Sequence, residues 1–221
     1  MSPTTSASVS GRLTLFVGQG CPHCPVVAKE VRALAAKNPK IELSIVDIHA
    51  NPEAARAAEV LAVPTLLVND QVRLTGAVNV DDLTQLLREP TALTAASLRH
   101  FIDQGNANAL AELMVAEDAV IPTLFELLTE STFSVRLGAM TVAERLSELN
   151  RALAATIVDP LWARFPAADD SVRGDILYLL GELGARHLLP DIEAVSTGDC
   201  SEDVKEAALE AVDTLKAGGL A

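Results

Sequence analysis

Cys21-Pro22-His23-Cys24 is the stretch that decides how the first part of this chain is interpreted. It follows an apolar segment at 12–17 and precedes apolar residues at helical spacing, so we expect it at the start of a helix. Two cysteines at this spacing lie about one helical turn apart. One can attack a foreign disulfide and the other can then release the product, so the motif indicates thiol–disulfide exchange.

The segments around this motif predict alternating strands and helices. Asn38-Pro39 ends the first helix, because proline disfavours helix at the residue before it. Asn51-Pro52 provides a cap and a first-turn proline for the next helix. The predicted elements are a strand at 12–17, a helix ending near 38, a strand at 41–47, a helix at 53–61, strands at 66–68 and 71–74, and a helix from 81 or 82 to 87. This order predicts a mixed sheet with helices on both faces.

Two further motifs, Val63-Pro64-Thr65 and Gly76-Ala77-Val78, lie downstream of the cysteines. Together with Cys21-Pro22-His23-Cys24 they resemble the thioredoxin family over about residues 12–88. The resemblance implies a thioredoxin-like α/β domain in which Pro64 is cis and lies beside the cysteines. With Pro25 included, the motif is similar to the halves of archaeal protein disulfide oxidoreductases and to the N-terminal domain of the alkyl hydroperoxide reductase flavoprotein. Its inner Pro-His pair is also that of DsbA-like periplasmic oxidases.

Two positions depart from the thioredoxin pattern. Gly20 stands where thioredoxins usually carry Trp, and Leu15 stands where they carry a buried Asp. The usual proton acceptor for the second cysteine is therefore missing. Glu30, Asp47 or water are the candidates to replace it.

The predicted catalytic residues are Cys21, Pro22, His23 and Cys24. We expect Cys21 at the helix N-cap, where backbone N–H groups and the helix dipole stabilise a thiolate. His23 can add a hydrogen bond or a positive charge, so a lowered pKa is expected for Cys21. Cys24 is expected to be shielded and to resolve the mixed disulfide.

The predicted substrate-binding residues lie around the cysteines. Val63 is expected to pair its backbone with a bound peptide in the manner of a strand. Pro64 removes one backbone donor and keeps the groove open above the sulfurs. Gly20 and Gly76 are assigned to the same groove.

Other chemistry is less well supported by the sequence. Structural zinc needs four ligands, and only Cys200 and scattered histidines remain after the Cys pair. An iron–sulfur site bridging two chains would require dimerisation. No metal or cofactor is therefore expected, and Gly18-Gln19-Gly20 is too short for a dinucleotide loop. Electrons are expected from a separate reductase.

The remaining histidines and Cys200 are expected to have structural roles. His49 near Asp47 could suggest a base, but such a pair more often shapes a loop. His100 and His187 are assigned to packing or to the surface. Cys200 lies among acidic residues, which raise a thiol pKa, so we expect it to be a bystander.

After Glu89-Pro90 the strand signal stops, and we place the domain boundary there, giving domains 1–90 and 91–221. The second domain contains three degenerate copies of one pattern: an early proline, a polar loop, then Val and a basic residue. Those pairs are Val135-Arg136, Val172-Arg173 and Val204-Lys205. The copies resemble HEAT-like repeats, which implies an all-α solenoid, with a capping helical pair at 94–117. Trp162 and Tyr178 are expected in its core.

Charge is concentrated in the second domain. Of the formal net charge of −13, residues 1–90 carry 8 basic and 9 acidic residues, and residues 91–221 carry 9 basic and 21 acidic residues. This field repels phosphate backbones, so nucleic acid is not expected as a partner, whereas a basic protein is possible.

No apolar run is long enough for a membrane span. Residues 1–10 lack the features of a secretory signal, which predicts a cytoplasmic protein.

The combined expectation is a thiol–disulfide oxidoreductase that acts on protein disulfides, with helical repeats that recognise a protein partner. The alternative is a redox-switched adaptor or scaffold without catalytic turnover. In that case the Cys21–Cys24 bond would change how the domains dock, and the repeats would report it.

A stabilised Cys21 thiolate lowers the free energy of the reduced dithiol relative to the disulfide, and this makes the disulfide a stronger oxidant. We therefore expect a couple less reducing than thioredoxin, with a midpoint above about −270 mV. Titration against glutathione measures this midpoint. A value at or below that of thioredoxin contradicts the expectation.

Overall fold

The computed structural model of the chain describes residues 9–218. Most of the N-terminal segment on which the expected absence of a secretory signal was based lies outside the described residues. The chain divides into two compact units, Met1–Glu117 and Asp118–Ala221. The first unit thus extends beyond position 90, because the helices that follow this position pack on the α/β part.

The first unit contains a four-stranded sheet in the order β2-β1-β3-β4. Strand β1 pairs in parallel with β2, and β3 forms an antiparallel hairpin with β4, as expected for the predicted mixed sheet. Strand β1 also pairs antiparallel with β3, a pairing that the sequence did not predict. The elements are β1 Gly11–Val17, α1 Cys24–Lys37, β2 Ile41–Asp47, α2 Pro52–Ala57, β3 Thr65–Val68, β4 Val72–Thr75, α3 Val80–Arg88, α4 Ala95–Asp103 and α5 Ala107–Ala116.

Leucines on β1, β3 and β4 form the core that positions the site. Leu13 and Leu15 are fully buried on β1, and Leu66 on β3 and Leu74 on β4 are 1% exposed. Leu15 pairs with Leu66 across the sheet, and Leu66 in turn pairs with Leu74. The central strands are therefore held by aliphatic packing, which fixes the carboxyl end of β1 just before the cysteine motif.

Helix α2 is shorter than predicted. It ends at Ala57, because Glu59 adopts a left-handed conformation with φ 52° and the Val60 N–H bonds to the Ala55 carbonyl. Such a C-terminal cap usually uses glycine. The sequence shows Glu at this position, so the predicted helix continued to residue 61.

Helices α4 and α5 extend the first unit past the hairpin. Asn106, which is 4% exposed, lies just before α5 and bonds to the backbone of Thr75 at the end of edge strand β4. Its Oδ1 accepts from the Thr75 N–H at 2.7 Å, and its Nδ2 donates to the Thr75 carbonyl at 3.2 Å. One side-chain amide thus pairs both backbone groups at the end of the edge strand, as a neighbouring strand would.

The second unit is helical over its described residues. Its helices are α6 Leu124–Leu128, α7 Phe133–Leu149, α8 Arg151–Ala155, α9 Val158–Trp162, α10 Asp170–Glu182, α11 Leu189–Ser196 and α12 Glu202–Ala217. Each sequence copy places its valine in the interior near the start of a long helix. Val135, Val172 and Val204 are 7%, 3% and 0% exposed.

The basic residue after each valine contacts the turn before its own helix in two of the three copies. Arg136 is 1% exposed and donates to the carbonyls of Glu130 and Ser131 at 2.7 and 2.8 Å. Arg173 donates to the carbonyls of Phe165 and Pro166 at 3.2 and 2.9 Å. In the third copy, Lys205 instead pairs with Glu202.

Arg136 also links two copies of the pattern. Its guanidinium bonds to Asp175 Oδ2 at 2.6 Å and to Ser171 Oγ at 2.7 Å, both on α10. A buried guanidinium with this many acceptors is satisfied, whereas the same charge without them would strongly destabilise the unit.

Replacing Asn106 with alanine should destabilise the protein by about 1–3 kcal/mol, because Thr75 would lose the partners of two backbone groups. The Asn106 side chain makes no cap bond to α5, so helix capping does not account for the loss. Urea unfolding measures the effect. Asn108→Ala, the same change at an exposed position, should stay within about 0.5 kcal/mol of wild type. Equal stabilities of the two variants would contradict the role of Asn106.

Candidate functional site

The cysteine motif lies between β1 and the first turn of α1. The helix begins at Cys24 with His23 as its N-cap and Pro25 in its first turn. Cys21 therefore lies two residues before the N-cap, and the expectation that it would be the N-cap itself is wrong. The non-helical turn from Cys21 to His23 brings the two cysteines together in a disulfide with a Cα–Cα distance of 5.5 Å.

Cys21 nevertheless receives a hydrogen bond from the helix. The backbone N–H of Cys24 donates to Cys21 Sγ at 3.1 Å. This N–H belongs to the first turn of α1, where backbone donors have no partner within the helix. In the reduced protein, a donor in this position stabilises negative charge on the Cys21 sulfur.

The two cysteines differ in solvent exposure. Cys24 is 4% exposed, whereas Cys21 is half-buried and Pro22 and His23 are exposed. An external disulfide can therefore approach Cys21 more easily than Cys24. The His23 side chain makes no capping hydrogen bond to the helix start.

A second segment, Ala62–Thr65, lies against Cys21. The Val63–Pro64 peptide bond is cis, as the resemblance implied, and the Val63 carbonyl oxygen lies 3.6 Å from Cys21 Sγ. The Gly76 N–H donates to the Pro64 carbonyl at 3.0 Å, and Thr65 Oγ1 donates to the Ala62 carbonyl at 2.7 Å. The structure thus brings Val63 to Cys21 and joins Gly76 to Pro64, although these residues are far apart in the sequence.

The backbone at Gly18 approaches two apolar side chains closely, a contact that the sequence did not predict. A Cβ on Gly18 would lie 3.2 Å from Val63 Cγ2 and 3.3 Å from Ile48 Cδ1. This close approach lets the loop after β1 pack on the segment that carries Pro64. Gly20 has φ +77°, a conformation that the tryptophan usual in thioredoxins would rarely adopt.

Neither carboxylate candidate is well placed to accept the proton of Cys24. Asp47 Oδ1 accepts the backbone N–H groups of His49 at 2.8 Å and Ala50 at 3.4 Å. The hydrogen bond from His49 lowers the pKa of Asp47, which makes it a weaker base, and the interpretation that the pair shapes a loop is confirmed. Leu15 is fully buried, and Glu30 does not line the cleft beside the disulfide.

That cleft has a volume of about 290 Å³ and opens beside both cysteines. Most of its lining is small or aliphatic, which leaves room for solvent or a narrow ligand chain. It is lined by Val17, Gly18, Gly20, Cys21, Cys24, Pro25, Ala28, Arg32 and Ile45. Within residues 9–218, no group of three or more His, Cys, Asp or Glu side chains is arranged to hold a metal ion.

The other residues considered in the sequence have local surroundings of their own. In the first unit, His100 is half-buried in α4, and its Nε2 lacks a hydrogen-bond partner among the described residues. In the second unit, Cys200 is half-buried with its sulfur 3.4 Å from the Val195 carbonyl, and His187 pairs with Asp159 at 2.7 Å on the surface.

The two aromatic residues expected in the helical core, Trp162 and Tyr178, differ in burial. Trp162 is half-buried and stacks on Phe165 at 4.7 Å between ring centroids. Tyr178 is 49% exposed, so the core expectation is wrong for it. Partial burial, with nearby Glu144 and Glu182, raises the pKa of Tyr178 to about 12.

Comparisons with known proteins agree with this geometry. A family model described as a thioredoxin domain matches residues 12–88. A thioredoxin of Methanocaldococcus jannaschii is 29% identical over 79 residues, which cover 35% of this chain and 93% of that protein. The N-terminal region therefore contains a thioredoxin domain, and a helical region follows it. Among residues 9–218, no helix combines the length and apolar character that crossing a membrane requires.

In the reduced protein, Cys21 should react with iodoacetamide at pH 7 about tenfold faster than free cysteine, because the Cys24 N–H stabilises its thiolate. Cys24 should react more slowly than Cys21, since it is almost completely buried. Timed quenching followed by peptide mass spectrometry resolves the sites, with Cys200 as a reference in the same chain. A Cys21 rate no greater than that of free cysteine, or faster modification of Cys24, would contradict this assignment.

Proposed function

We propose that the protein is a thiol–disulfide oxidoreductase that acts on protein disulfides through Cys21 and Cys24. The observation that carries the proposal is the unequal environment of the two sulfurs at one helix start. Cys21 is reachable and accepts the Cys24 N–H at 3.1 Å, whereas Cys24 is 4% exposed. The thioredoxin domain that contains them supports thiol–disulfide redox activity at the general level.

The first step forms a mixed disulfide. The Cys21 thiolate attacks one sulfur of the target disulfide, a bond forms between Cys21 and that sulfur, and the target S–S bond breaks. The other target sulfur leaves as a thiolate and takes a proton from solvent. The Cys24 N–H is placed to stabilise the attacking thiolate before the step.

The second step releases the target. Cys24 loses its proton and attacks Cys21 Sγ, and the Cys21–Cys24 disulfide forms as the second target sulfur leaves as a thiolate and is protonated. The enzyme dithiol is oxidised by two electrons and the target disulfide is reduced by two. Because neither Asp47 nor Glu30 lines the cleft beside Cys24, solvent in that cleft is the proton acceptor in this scheme.

The target peptide would lie along the Val63–Pro64 segment. Val63 places its carbonyl 3.6 Å from Cys21 Sγ, so a peptide paired with its backbone would bring a cysteine close to Cys21. Pro64 has no N–H of its own, and its carbonyl is already bonded to Gly76. We assign Gly20, Val63, Pro64 and Gly76 to substrate binding, and Pro22 and His23 to the exposed rim.

The helical region would recognise a protein partner. Residues 118–221 carry 18 acidic and 8 basic residues, which favours a basic partner. A separate reductase would return electrons to the Cys21–Cys24 disulfide. In the alternative, a redox-switched adaptor or scaffold, the disulfide would form and break without turnover.

A measurement of catalytic turnover distinguishes the proposed enzyme from the alternative adaptor. With dithiothreitol as reductant, the wild-type protein should accelerate the reduction of insulin, and Cys21→Ser should abolish that acceleration. An adaptor would leave the uncatalysed rate unchanged.

Replacing Cys24 with serine should trap the mixed disulfide, because the group that resolves it is gone. In a Cys200→Ser background, the Cys24→Ser protein should form an adduct with insulin chains that survives denaturing, non-reducing electrophoresis and is released by dithiothreitol. The matched control also carries Cys21→Ser. An adduct that persists in the control, or no adduct through Cys21, would argue against the exchange mechanism.

A further inference from the structure

The cleft beside the disulfide continues along one face of α1. Cys24, Ala28 and Arg32 line it at intervals of four residues, which places them on the same side of the helix. Val17 and Ile45, from β1 and β2, provide apolar lining. The cleft therefore extends along α1 from the cysteines toward Arg32.

Arg32 is the charged residue among those that line the cleft. It is exposed, and it forms no ion pair or hydrogen bond with any residue from 9 to 218. Its Cα lies about 12 Å from that of Cys24 along the helix axis. Helical side chains lean toward the helix N-terminus, and in α1 this is the direction of the cysteines.

We propose that Arg32 forms a carboxylate-binding subsite for the half of a disulfide substrate that becomes bonded to Cys21. A guanidinium matches a carboxylate through two parallel hydrogen bonds, and the aliphatic lining accepts the short chain between sulfur and carboxylate. The preferred substrates are thus disulfides with an acidic group a few bonds from sulfur. This inference rests on the proposed function, since it concerns the same exchange reaction.

Arg32 forms no covalent bond with the substrate, so the bonds that form and break are those of the exchange reaction described above. The half held by Arg32 stays bonded to Cys21, and the other half leaves as a thiolate and takes a proton from solvent. Arg32 raises the rate by holding the attacked sulfur near Cys21. The contribution of Arg32 to the rate therefore depends on the charge of the substrate. A general effect of the Arg32 charge on the reactivity of the dithiol would instead be the same for every substrate.

Three small disulfides of similar size but different charge provide the test: 3,3′-dithiodipropionate, bis(2-hydroxyethyl) disulfide and cystamine. The reduced full-length protein is mixed with each in single turnover, quenched with acid and analysed by mass spectrometry, so no external reductase is needed. The measured quantity is the ratio of the second-order rate constant for the acid to that for the neutral disulfide.

Arg32→Ala should lower this ratio about two- to fivefold, the range of an exposed ion pair, and raise the relative rate of cystamine. Added salt should lower the wild-type ratio, because the contact is exposed. Lys29→Ala removes a charge from the same helix at an exposed position that does not line the cleft, and should keep the wild-type ratio.

An unchanged ratio in Arg32→Ala, or equal losses with Lys29→Ala, overturns the subsite. A proportional loss of rate with all three disulfides overturns it as well, because Arg32 would then act on the dithiol itself. Failure of the wild-type protein to react with the neutral disulfide is a different result. That outcome would overturn the proposed exchange function on which the subsite rests.

Discussion

The start of helix α1 is the constraint on which the site depends. Its first-turn N–H, from Cys24, has no partner inside the helix and is directed at Cys21 Sγ at 3.1 Å. The same turn buries Cys24 and leaves Cys21 accessible. One backbone feature therefore gives two chemically similar sulfurs different environments.

The loop that carries cis Pro64 is the second element that shapes the site. It is held by the Gly76 N–H on the Pro64 carbonyl, and Gly18 lets the loop after β1 approach Val63 closely. Strand β4 ends just before Gly76, and Asn106 pairs the backbone of its last residue, Thr75. The added helices α4 and α5 thus brace the edge strand from which Gly76 reaches the Pro64 loop.

Apolar side chains make up most of the described surroundings of Cys24. Leu15 packs in the sheet core, Asp47 is occupied by the loop that follows β2, and the cleft wall near Cys24 includes Ile45. Cys24 is thus almost completely buried, and the described group of full charge that lines the cleft beside it is Arg32.

The sequence alone determined the order of the α/β elements, the mixed sheet, the hairpin and the cysteine motif at a helix start, because hydrophobic periodicity and local turn residues encode them. It did not show that α2 ends before Glu59, since a left-handed glutamate carries no local signal. It also did not show Asn106 on Thr75, Gly18 against Val63, or Arg32 in the cleft beside Cys24. These were decided only by the tertiary structure, because each joins segments or faces whose proximity exists only after strands and helices pack.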